Sequence, residues 1–191
     1  MTYPGHLLLF AAVAAVTWFL VISFWPRLLL YVYKRAILVR GFGDGPIPIN
    51  TLYTEPQEMF AEPLAPRPAS GSDLMTRGVN HDTLAVAGWL DLSRGPLTLH
   101  VPDMPDRYYS VQFTDPADNT SFAYVGSRTT GTRAGDYLIT GPGWQGEVPS
   151  GLVRVPSPNH SVLVLGRVLV KNDGDLAVAH GLAKQIQLTR P

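Results

Sequence analysis

Residues 126–151 read GSRTTGTRAGDYLITGPGWQGEVPSG, in which seven glycines and two prolines surround one short apolar run, Tyr137-Leu138-Ile139. Glycine tolerates positive φ and lets two backbones approach closely, so a stretch this rich in it is a poor helix. It reads as a set of shaped loops around a strand. The same rhythm extends outward in both directions. Short apolar or alternating runs at 84–90, 97–101, 109–114, 122–125, 137–140, 152–155 and 162–170 are each bounded by Gly, Pro, Asn or Asp. In the third run Tyr109, Val111 and Phe113 alternate with Ser110, Gln112 and Thr114, the pattern of a strand with one wet face. Seven short strands at this spacing predict a β-sandwich. After Asp175, a favourable N-cap residue, Leu176, Ala179, Ala183 and Ile186 recur at helical spacing and predict a short C-terminal helix.

Composition narrows the function classes. The 191 residues carry 15 basic and 15 acidic side chains, so the clustered positive charge of a nucleic-acid binder is missing. There is no cysteine, which excludes disulfides, Cys-ligated zinc and thiol chemistry. With 18 glycines, 17 prolines and 46% hydrophobic residues, the chain reads as folded and β-rich.

The N-terminus differs. Residues 7–25 (LLLFAAVAAVTWFLVISFW) run without a charge, long enough as a helix to cross the ~30 Å core of a bilayer. A signal peptide fits poorly, because no Lys or Arg precedes the run and no small-x-small cleavage site follows it. A retained single-pass anchor in the cell membrane is expected, with the bilayer as a partner. Arg27, Lys34, Arg35 and Arg40 follow the span, and the charge rule alone puts that flank in the cytoplasm. Past Pro26 the chain either lies at the membrane interface or continues as helix and packs on the domain. Thr54-Glu-Pro-Gln57 matches a capping box and predicts a short helix, and residues 61–72 form a Pro-rich connection. The expected organisation is therefore an anchor and juxtamembrane helix over 1–40, a connecting segment over 41–76, and the sandwich over 77–191.

Several strings resemble the bacterial family known as domain of unknown function 1254. They are NHDTL at 80–84, GWLDL at 88–92 with Gly95-Pro96, VPD at 101–103, DRYY at 106–109, RTTG at 128–131, AGDYL at 134–138, GPGW at 141–144 and LGR at 165–167. The resemblance covers about residues 77–188. It implies an immunoglobulin-like sandwich and an exported domain, and it shifts the expected side of the membrane slightly toward the outside. It supplies no activity. His81 stands where the family pattern has an arginine. Many relatives continue into a second domain (family 1214), so the resemblance suggests a companion domain on another chain.

Individual motifs carry little chemistry. GPGWQG at 141–146 satisfies G-x-G-x-x-G after a strand, but Pro149 and Gly151 deny the helix a dinucleotide site needs, and 160–166 offer no acid. A glycine corner with Trp144 tucked against it is the better reading. The candidate polar cluster is Arg77, Asn80, His81, Asp82, Asp106, Arg107, Tyr108 and Arg128. Arginine grips carboxylates or phosphates, His moves protons near neutrality, and Tyr orients an oxyanion. The competing and favoured reading makes Asp106–Arg107 and Asp82–Arg128 structural ion pairs. His81, His100, His160 and His180 lack metal-ligand spacing, and Asp115, Asp118 and Asn119 lack the rest of a calcium loop. No catalytic serine motif, cofactor or metal is expected.

Two functions follow. One is a membrane-anchored binding or assembly module with a protein partner. The other is an enzyme or ligand-binding module for a small anionic or saccharide-like molecule, with His81 and Asp82 for protons and Arg107 or Arg128 for the anion. Side chains converging on one pocket favour the second; side chains on separate faces favour the first.

Overall fold

The computed structural model describes residues 4–41, 45–61 and 82–190. Its first element is a single helix, α1 (Pro4–Arg40), which continues without a break past Pro26. At ~1.5 Å per residue its 37 residues reach about 55 Å, almost twice a bilayer core. The span is long and apolar enough to cross a membrane and is not covered by the rest of the molecule. Phe10 and Trp18 are 75% and 68% exposed, which no core helix would tolerate. The foot of the helix is different. Leu30, Tyr33, Lys34, Ile37 and Leu38 are partly or fully buried, an i, i+3, i+4, i+7, i+8 stripe against the β body. Helix continuation past Pro26, with packing on the domain, is thus what the chain adopts.

The body is two sheets. Strands β1 (Leu52–Thr54), β2 (Thr83–Asp91), β4 (Tyr109–Asp115), β5 (Thr120–Gly126) and β8 (Ser161–Leu169) form one, in the order β1-β2-β8-β4-β5. Strands β3 (Leu97–Val101), β6 (Gly135–Thr140), β7 (Leu152–Pro156) and β9 (Gln187–Thr189) form the other, in the order β7-β6-β3-β9. All neighbours are antiparallel except β6 and β7. Helix α2 (Gln57–Ala61) follows β1, and α3 (Leu176–Gln185) precedes β9. The seven strands expected from the sequence are β2 to β8. The additions are β1 and β9, three residues each, too short for a periodicity to show.

The alternation of side chains along strands decides what is inside. Tyr109, Val111 and Phe113 meet Val162, Val164 and Val168 in a core that also takes Leu84, Leu99, Met104 and Ile139. Ala179 and Ala183 of α3, with Ile186 just beyond its end, close the same core. The glycine loop is stitched to this core from within. The buried Tyr109 donates its hydroxyl to the Gly131 carbonyl at 3.0 Å, and the amides of Thr129, Thr130 and Gly131 converge on the Gly126 carbonyl. Gly131 sits at φ +87°, a conformation other residues resist. At the second corner, Trp144 folds onto Gly146 and carries Arg154 over its ring at 5.1 Å. No helix follows GPGWQG, as Pro149 and Gly151 indicated.

Candidate functional site

The polar cluster named from the sequence is dispersed by the fold. Arg77, Asn80 and His81 lie outside the described residues. Asp82 immediately precedes β2, and its carbonyl accepts from the Val170 amide at 2.8 Å. Asp106 is an exposed turn residue at φ +51°, left-handed backbone that Asp tolerates better than most. Arg107 and Tyr108 then diverge, as successive residues entering a strand do. Tyr108 turns to the outer face, where the Arg128 guanidinium lies 5.3 Å from its ring centre, a cation–π contact. Arg107 turns inward and is only 6% exposed. Arg107 and Arg128, the two proposed anion grips, therefore serve separate surroundings.

The partner of Arg107 is Asp175, not its neighbour Asp106. Two parallel bonds of 2.6 Å join the guanidinium to the carboxylate, and a third goes to the Leu169 carbonyl. Among the described residues no acceptor meets the buried Arg107 Nε. Asp175 also accepts from the Lys171 amide at 2.9 Å. The Arg107 hydrogen bonds outweigh the cost of desolvation and hold the Asp175 carboxyl at about 2. Asp175 does stand at the head of α3, but its side chain makes no capping bond to that helix; Arg107 and Lys171 occupy it instead. The clamp ties the start of β4 and the end of β8 to the 3-10 turn Asp173–Asp175 that leads into α3.

A second polar assembly joins the helix foot to the body. Ser161 receives the Trp89 indole N–H at 2.7 Å and the Lys34 ammonium at 3.3 Å, and that ammonium sits 4.9 Å from the Trp89 ring centre. Asp115 and Asp118, weighed above as calcium ligands, accept turn amides of Ala117 and Thr120 at 2.8 and 2.9 Å. His100 pairs with Asp136 across β3 and β6 at 2.7 Å, with both half exposed. Among the described residues no three metal-binding side chains gather.

A concave feature among the described residues lies elsewhere, between α2 and α3. An open cleft of about 370 Å³ is lined by Thr54, Pro56, Gln57, Glu58, His180 and Lys184. His180 is 8% exposed, and its Nδ1 lies 3.0 Å from the Gln57 side-chain amide. Burial pushes the imidazole pKa down and Lys184 adds to that, while Glu58 pulls the other way. Sequence reasoning weighed His180 only as a metal ligand. The available signal was the pairing of the capping-box segment at 54–57 with the histidine of the C-terminal helix, but no sequence rule brings together elements more than 120 residues apart.

The model of the family described as "Protein of unknown function (DUF1254)" matches residues 63–190. The chain belongs to this family. Of the strings by which it resembles DUF1254, GWLDL, AGDYL and LGR lie on β2, β6 and β8, while DRYY forms the turn into β4, RTTG the loop tied to Tyr109, and GPGW the Trp144 corner. A solved relative is the VPA0106 protein from Vibrio parahaemolyticus. It is 29% identical, with a TM-score of 0.57, and the match covers 83% of this chain and 34% of that one. This DUF1254 chain thus spans about a third of the length of the solved protein. No curated protein matches it.

Proposed function

We propose that this chain is a membrane-tethered immunoglobulin-like sandwich that works by binding and assembly rather than catalysis. The observation that supports it most is the unbroken run of α1 from an exposed apolar span into a foot bonded to the body through Lys34, Trp89 and Ser161. Such a connection presents the body in a fixed attitude at the bilayer instead of on a loose leash. The dispersal of Arg107 and Arg128 to separate surroundings weighs against one anion pocket in the polar cluster. The partner we propose is a membrane protein or a companion chain carrying the domain that longer relatives hold in the same polypeptide. We place the body on the exported side, as the family resemblance implies. Lys34 also belongs to the helix–body contact, which removes one of the four basic residues from the free flank of the span.

The test is purification of the full chain from its own membranes in mild detergent, with the particle mass measured by light scattering. The expected result is a complex with a second polypeptide at constant stoichiometry. Repeated recovery of a lone monomer would overturn the proposal.

A further inference from the structure

The cleft between α2 and α3 has two unlike walls. On α3, His180 and Lys184 stand one turn apart and so face the same way. Facing them are Glu58 and Gln57 of α2, with Thr54 and Pro56 beside them. Among the described residues no direct ion pair joins Glu58 to Lys184. A carboxylate and an ammonium therefore line the same cleft without a short contact between them. The volume, about 370 Å³, lies in the range of small-ligand sites, roughly 300–1,000 Å³.

His180 sets the polarity of the α3 wall. The Gln57 side-chain nitrogen lies 3.0 Å from Nδ1, and the tautomer in which it donates there carries the ring proton on Nε2. Burial and the neighbouring Lys184 both favour the neutral ring. The α3 wall then offers an ammonium and an imidazole N–H, two donors suited to one carboxylate. The α2 wall offers a carboxylate suited to one ammonium.

We propose that this cleft binds a small zwitterion, such as an amino acid or short peptide, with its carboxylate on Lys184 and His180 and its ammonium on Glu58. The site is independent of the tethering and assembly reading and uses none of its residues.

Calorimetric titration of the full chain in detergent tests it, with glycine, 4-aminobutyrate and diglycine as probes of increasing charge separation. Acetate and ethylammonium serve as the two half-ligands. At least one zwitterion is expected to bind saturably, with a Kd about tenfold or more below either half-ligand. Glu58→Gln and Lys184→Gln, both at exposed positions, are each expected to weaken that binding about tenfold while leaving the melting temperature unchanged. The proposal is overturned if no zwitterion outbinds acetate and ethylammonium. It is equally overturned if both variants bind as the parent does. Neither result bears on whether the chain is recovered with a partner.

Discussion

Tyr109 is fully buried, yet its hydroxyl reaches the Gly131 carbonyl and so fastens the glycine loop to the core. Tyr109→Phe keeps the ring and removes the donor, and is expected to cost about 1–2 kcal/mol in urea denaturation, since a carbonyl loses its partner. Asp175 offers a pH test with a definite sign. Its carboxyl sits at about 2 in the fold against an ordinary 3.8, so the clamp stabilises the fold fully above pH ~4 and loses that contribution as pH falls through about 2. Asp175→Asn is expected to cost about 2–3 kcal/mol at pH 7, somewhat below the value for a wholly buried pair because the carboxylate is partly exposed. The gap between parent and variant then narrows between pH 5 and pH 2. His180 acts in the same sense, nearer neutrality. Its folded pKa lies below 6.5, so the neutral ring favours the fold above that pH and the advantage fades as pH drops below it. NMR titration of the imidazole is expected to give a midpoint under 6.5, and Lys184→Gln is expected to raise it by removing a repelling charge. At this scale the sequence was least informative. Arg107 was recognisable as a pinning residue, but its partner stands 68 positions away, and proximity in sequence pointed to Asp106.

Elements were far more legible, because apolar or alternating runs persist over five to nine residues and each is bracketed by turn-formers. The exceptions have physical reasons. β1 and β9 hold three residues apiece and join their sheets by register alone, pairing with Val86 to Gly88 and with Thr98 to His100. Strand pairing also makes certain glycines obligatory. A Cβ at Gly126 would lie 2.5 Å from the Tyr109 carbonyl oxygen and 2.9 Å from the Ser110 Cα, both backbone atoms. Gly126→Ala must therefore separate β4 from β5, and a loss of about 1–3 kcal/mol with increased amide exchange across that pair is expected. The foot of α1 makes its own prediction. Trp89→Phe deletes the indole N–H that holds Ser161 and weakens the Lys34 contact. Hydrogen exchange is expected to rise over residues 30–40 with little change in the sheets, whereas unchanged exchange there would show that Trp89 does not hold the foot.

For the whole molecule, the arrangement of parts was readable from chemistry that acts over long stretches: nineteen uncharged residues at one end, and glycine-punctuated strands filling the other. What composition did not disclose is how the two meet, because the contact depends on a single stripe along the last three turns of one helix. The cleft was equally hidden, assembled from a short helix and a C-terminal one. The tethered reading places the upper part of α1 in lipid and the body wholly outside it. Because the natural chain has no cysteine, single thiols report on this without background. Thr17→Cys and Ser127→Cys, treated with a membrane-impermeant maleimide in sealed vesicles of known orientation, give the most direct measurement. The account predicts that the thiol at 127 reacts from the exported side alone, while the thiol at 17 stays protected from both sides until detergent is added. Reaction of both thiols at similar rates without detergent would contradict it.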